Sequence, residues 1–212
     1  MTLPGGEEVQ FHIEYEGKLP SQNAKDRKAR RRGCHLIRES FHHQLRQLWN
    51  TRFRPFAGLP PCDDSSYEEL QSKYLEANSL QIDDTDLRFF PVINEAAHLV
   101  CALDITLYRH QAPGSFVGPG GDLDNHLKVL FDALSTPNQS QVEGLDLGQA
   151  ERPIFCLMQD DAQIIDVRMK TVQIWRPYNS PNEQREVKVS VDVKASCTSF
   201  QGGYGGIAFP DL

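Results

Sequence analysis

Two short segments of the chain carry carboxylates and a lysine at spacings that suit metal-assisted chemistry. Asp122 and Asp124 lie two residues apart, and Lys128 follows four residues after Asp124. In an extended segment that enters a helix, this spacing sends both carboxylates to one side, with the lysine one helical turn further on. The second segment holds Asp160 and Asp161 side by side, and one of them can supply a third carboxylate. The sequence therefore predicts three carboxylates beside a lysine.

Such a cluster has a metal-binding and a purely structural interpretation. Three close carboxylates repel one another unless a cation or a shared proton offsets their charge, and oxygen-only ligands favour Mg²⁺, with Mn²⁺ as a substitute. A metal held there can activate water and polarise a phosphodiester, while Lys128 would offset charge developing on the phosphoryl oxygens. In the structural interpretation, Asp124 caps a helix, Lys128 pairs with Asp132 at i+4, and the later two aspartates form a turn.

The elements that must position these groups follow from hydrophobic periodicity. Alternating apolar residues predict strands over 9–15, 99–108, 163–175 and 187–194. Apolar residues at three- and four-residue steps predict two main helices, over 26–50 and 124–135. A capping pattern predicts a short helix over 66–77, and polar or proline-containing stretches predict loops over 54–64 and 136–153. This order predicts an α+β fold with a single mixed sheet of about four strands and two main helices packed on it.

The length of 212 residues suggests a single domain with decorations, or at most two small domains. We expect its core to comprise about 9–50 and 98–195, with an insert over 54–97 and a glycine-rich C-terminal tail over 196–212. A thin layer with an exposed sheet face or edge often pairs with a second subunit, so we expect a homodimer.

The positive charge of the chain is concentrated near its N-terminus, although the net charge is −7. An acidic chain is not typical of a protein that coats nucleic acid. A local basic run can nevertheless follow a phosphate backbone, and it can equally be the solvated start of a helix. The residues predicted to contact DNA are Lys25, Lys28, Arg30, Arg31 and Arg32, in a run that also includes Arg27.

The composition and the cysteine pattern indicate the cellular compartment in which the chain is expected. It has no run of about 18 apolar residues and no secretory signal, so neither a membrane span nor export is expected. Its five cysteines are an odd number and form no Cys-x-x-Cys pair, which favours reduced thiols over a disulfide framework. We expect a cytoplasmic protein of a prokaryote or a phage.

The two segments together resemble the signature of the RusA-type Holliday junction resolvases. The first reads Asp-Leu-Asp-Asn-x-x-Lys-x-x-x-Asp-Ala-Leu from Asp122, and the second reads Asp-Asp-Ala-Gln-Ile-Ile-Asp from Asp160. The resemblance implies a dimeric, Mg²⁺-dependent endonuclease that cuts four-way DNA junctions in recombination and repair, with a similar α+β layout. It implies that Asp122, Asp124 and Asp161 hold the metal. It also implies that these three residues and Lys128 are catalytic.

The chain departs from that family immediately before the first motif. Residues 118–121 read Gly-Pro-Gly-Gly, whereas the family often has basic residues there. Two alternatives therefore stand beside the resolvase: a non-catalytic DNA-binding relative that keeps the scaffold, and a nuclease for other branched DNA.

Overall fold

The computed structural model describes residues 8–20, 26–51, 64–82, 87–110, 123–145, 152–175 and 186–198. The strands in these residues are β1 (Glu8–Gly17), β2 (Leu80–Gln81), β3 (Arg88–Ile93), β4 (Leu99–Arg109), β5 (Ile154–Met158), β6 (Ile164–Gln173) and β7 (Val187–Cys197). The helices are α1 (Arg27–Thr51), α2 (Asp64–Asn78), α3 (Leu123–Leu134) and α4 (Gln139–Val142), and a 3-10 turn covers Asp161–Gln163. The predictions for Lys25, Asp122, the loop up to residue 63 and the tail beyond residue 198 lie outside the described residues.

The four strands predicted from alternation form one mixed sheet in the order β1-β7-β4-β6. β7 runs antiparallel to both of its neighbours, and β6 runs parallel to β4. The alternation of β7 reflects one buried face: Val189 and Val191 are fully buried, whereas Asp192 and Lys194 are exposed. The edge strand β6 alternates in sequence without a buried residue, and its Ile165 is 59% exposed. The inward face joins a core that includes the apolar stripe of α1.

The α+β class is confirmed, and α2 confirms the short helix predicted over 66–77. The prediction of a single sheet is wrong, because a second sheet is present. Strands β2, β3 and β5 form a three-stranded sheet in the order β2-β3-β5, in which β3 and β5 are parallel. All five residues of β5 are buried, so this strand shows no polar alternation that the sequence could reveal. β3 lies within the range predicted as an insert, yet its Phe90 is in the main core. The predicted loop over 136–153 contains α4.

α1 is a 25-residue amphipathic helix that contacts β1, β5 and α3. Ile37, Phe41 and Leu45 recur along its buried side, which confirms the helix predicted from their spacing. Within the described ranges, no helix has the length and apolar character needed to cross a membrane.

Hydrogen bonds at the end of the second sheet fix the position of the segment that begins at Asp160. After α3, the Thr136 N–H donates to the Met158 carbonyl at 3.0 Å, and the Thr136 hydroxyl donates to the Gln159 carbonyl at 2.7 Å. The Gln159 N–H donates to the Ile93 carbonyl at the end of β3, at 2.9 Å. These bonds tie the last turn of α3 to the residues immediately before Asp160.

Two buried histidines on α1 make the fold sensitive to acid. The Phe155 N–H donates to His42 Nδ1 at 2.8 Å, so this nitrogen must be unprotonated. Burial, with the charges of His43 and Arg46, lowers the pKa of His42 to about 4, and burial with Arg38 lowers the pKa of His35 to about 4. In both cases, the unfolded state binds more protons than the folded state between pH 6.5 and 4.

We therefore expect the free energy of unfolding to be highest above pH 6.5 and to fall as the pH drops toward 4. Each histidine contributes at most about 3 kcal/mol to this loss. Urea unfolding at pH 7, 5.5 and 4.5 measures it. His42→Asn, whose amide oxygen can accept the Phe155 bond without titrating, should show a shallower pH dependence than the protein with histidine. Identical slopes for the two proteins would contradict the assignment.

Candidate active site

The two segments singled out in the sequence meet at one cleft of about 520 Å³, although Asp124 is not among the residues that line it. Lys128 of α3 faces it, together with Asp160 and Asp161 at the entry to the 3-10 turn. Arg30 of α1 and Asp132 of α3 line the same cleft. The fold therefore brings the lysine of the first motif and the aspartates of the second to one place, although more than thirty residues of sequence separate them.

The two adjacent aspartates have different environments. Asp160 is the N-cap of the 3-10 turn: its Oδ1 accepts the Ala162 N–H at 2.9 Å. Gln163 completes a capping box, since its Oε1 accepts the Asp160 N–H at 3.2 Å and the Gln159 N–H at 2.9 Å. Asp161 is exposed; its carbonyl accepts the Ile164 N–H, and its carboxylate makes no hydrogen bond to another described residue. The turn interpretation thus holds for Asp160, and the carboxylate available for chemistry is that of Asp161.

In the first motif, Lys128 pairs with Asp124, and the distance from Nζ to Oδ2 is 2.7 Å. The predicted alternative pairing of Lys128 with Asp132 is wrong, because Asp132 Oδ2 accepts from Arg30. The predicted cap is also wrong: α3 begins at Leu123, which puts Asp124 inside the first turn. Since Lys128 and Asp124 are four residues apart on one helix, their side chains share a face and the lysine extends that face into the cleft.

The metal-binding set is only partly within the described residues. Asp124 and Asp161 offer carboxylate oxygens, the ligand type that Mg²⁺ prefers, so their chemistry fits the ion. Asp122, the third predicted ligand, lies outside the described residues. Within those residues, no three His, Cys, Asp or Glu side chains are grouped closely enough to hold a metal.

The basic run divides between two sides of α1. Arg30 lines the cleft and Arg31 is half-buried, whereas Lys28 and Arg32 are exposed. Sequence reasoning did not anticipate the Arg30–Asp132 ion pair, which joins residues 102 positions apart. It also missed the role of Gln163, although an Asp-x-x-Gln pattern is a recognisable capping signal.

Comparison with known proteins does not assign this site to a family. No family model matches the chain, and no curated protein sequence matches it significantly.

Proposed function

We propose that the protein is a Mg²⁺-dependent, structure-selective endonuclease that cleaves four-way DNA junctions, as the RusA-like motifs suggest. The observation that carries the proposal is the shared cleft, in which Lys128 and Asp161 lie together with Arg30. Carboxylate, lysine and arginine in one open cleft suit a phosphodiester substrate, because the cations can hold the phosphate and the carboxylate can hold a metal.

Each residue has a distinct role in this proposal. Asp122, Asp124 and Asp161 would hold Mg²⁺ or Mn²⁺, which when bound activates water and stabilises the leaving oxygen. Lys128 carries its positive charge to the cleft and offsets the charge on the phosphoryl oxygens. Asp160 and Gln163 hold the turn that presents Asp161.

The junction substrate is proposed from the RusA-like motifs, and its symmetry bears on the oligomeric state. A junction offers equivalent strands, and cutting two of them requires two sites related by a two-fold axis. We propose a homodimer for this reason. β1 and β6 are the two edge strands of the main sheet and are the natural places to extend it across an interface.

A panel of synthetic DNAs tests the proposed function. We expect paired incisions in a four-way junction with MgCl₂, none in EDTA, and weak cutting of flaps and linear duplex. The control is the same panel with CaCl₂. Ca²⁺ is larger than Mg²⁺ and tolerates irregular coordination, so it supports DNA binding without the tight coordination geometry of Mg²⁺. Equal cutting of linear duplex and junction would contradict structure selectivity.

A second candidate function is that of a DNA-binding protein without nuclease activity. The Lys128–Asp124 ion pair favours it, because a carboxylate already neutralised by a lysine has less need of a cation. Calorimetric titration with MnCl₂ separates the two candidates. Binding of Mn²⁺ that is lost in Asp161→Asn supports the nuclease, whereas no binding supports the second candidate.

A further inference from the structure

A second cavity, of about 260 Å³, lies between the first turns of α1 and the segment from α3 to α4. Four arginines line it against a single carboxylate, that of Asp132: they are Arg27, Arg30, Arg31 and Arg38. Ser140 and Gln141 of α4 add polar groups to the wall. Burial raises the pKa of the Cys34 thiol on the same wall, so this group stays neutral and adds no negative charge.

The arginines of this cavity differ in how many hydrogen bonds and ion pairs they already make within the protein. Arg38 is buried and donates to the Asp132 and Ser135 carbonyls, at 2.6 and 3.3 Å. Arg30 pairs with the Asp132 carboxylate. Arg31 donates to the Glu143 carbonyl at 3.3 Å and lies 3.9 Å from a carboxylate oxygen of the same residue, whose side chain is mostly exposed. The pairing within the cavity thus leaves a surplus of positive charge.

Arg27 contributes most directly to that surplus. Its side chain makes no hydrogen bond or ion pair with the rest of the described chain. Together with Arg31, one helical turn further on, it forms the outer wall of the cavity. Lys28 and Arg32 are also one turn apart, but they are exposed and line neither the cavity nor the cleft.

The geometry points to a phosphate-binding site in this cavity, formed by Arg27, Arg30 and Arg31. Arginine presents paired N–H donors that match phosphate oxygens, and one water molecule takes only about 30 Å³ of liquid, so a phosphate group has room. The cavity and the cleft share Arg30, Asp132 and Gln141. A DNA strand in the cleft can therefore place a neighbouring phosphate in the cavity. The identification of this phosphate as one of DNA rests on the proposed function.

Two double variants with equal charge change test the site. Arg27→Gln/Arg31→Gln removes the outer wall, and Lys28→Gln/Arg32→Gln removes the same charge from the exposed side. At constant ionic strength, sodium phosphate should raise the melting temperature of the unaltered protein and of the exposed-side variant over a chloride control. The cavity variant should show no such shift. Equal phosphate shifts in both variants, or none in any protein, would overturn the site.

Metal-free binding of a four-way junction, measured against salt concentration, identifies the source of the phosphate. Since one phosphate occupies the cavity, we expect the cavity variant to reduce the log–log salt slope by about 1 and the affinity by roughly tenfold or more, beyond the loss in the exposed-side variant. A phosphate shift with equal slopes for the two variants would overturn the DNA assignment. Failure of the unaltered protein to cut any junction, with the difference between variants intact, would refute the proposed nuclease and leave this site standing.

Discussion

Asp161→Asn should lower Mg²⁺-dependent junction cleavage by at least about 100-fold and leave metal-free junction binding unchanged. Loss of a residue that only orients a metal ligand typically costs 10- to 100-fold, so loss of a ligand should cost more. The amide keeps the shape of the side chain and removes its charge, and no described hydrogen bond of the fold depends on that carboxylate. Single-turnover cleavage of a labelled junction and a gel shift in EDTA measure the two quantities.

The neighbouring aspartate provides a matched control. Asp160→Asn makes the same chemical change one residue away, where the carboxylate accepts the Ala162 N–H as an N-cap. Asparagine caps about as well as aspartate, so this variant should cleave within roughly threefold of the unaltered protein. Similar losses in the two variants would show that the segment tolerates no amide at all. A parallel loss of binding in Asp161→Asn would assign that residue to phosphate or DNA contact instead.

The elements that could be predicted from the sequence are those with one buried and one solvent-exposed face. β7 alternates between buried valines and polar residues, and α1 repeats apolar residues on one side, so each shows its period in the sequence. β3 and β5 could not be found in this way, because nearly all their residues are buried and β3 also contains Pro91. The second sheet was therefore missed, although it is this sheet that leads the chain to Asp160.

The site was predictable to the extent that its contacts are local. The four-residue spacing of Asp124 and Lys128 places them on one helical face, and the structure shows the ion pair that this spacing permits. The same spacing also permits a pair between Lys128 and Asp132, and only the distant Arg30 decides against it. The capping box with Gln163 likewise decides which of the two adjacent aspartates caps the turn. Only the fold therefore shows that the carboxylate of Asp161 is the available one.

Arg38→Met should lower the free energy of unfolding by about 2–4 kcal/mol, because hydrogen bonds to a charged donor are worth about 1.5–3 kcal/mol each. The side chain of Arg38 is 3% exposed and its guanidinium lies 5.9 Å from the centre of the Phe89 ring. It donates to the Asp132 and Ser135 carbonyls at the C-terminus of α3, which methionine would leave without their donor. Release of the desolvated charge offsets part of the loss, and this keeps the estimate below the sum of the two bonds. Urea unfolding at pH 7.5, where both buried histidines are neutral, measures the change.

Two further substitutions separate the geometry of Arg38 from its charge. Arg38→Lys keeps the positive charge but replaces the planar fork with a single ammonium, so it should recover less than half of the lost stability. Arg32→Met removes an exposed arginine from the same helix and should change the free energy of unfolding by no more than about 0.5 kcal/mol. If Arg38→Lys were as stable as the unaltered protein, charge alone would hold the end of α3. If Arg38→Met were as stable, the end of α3 would be anchored by the Thr136–Met158 and Thr136–Gln159 bonds. The position of the Asp161 turn would then depend on those two bonds and not on α1.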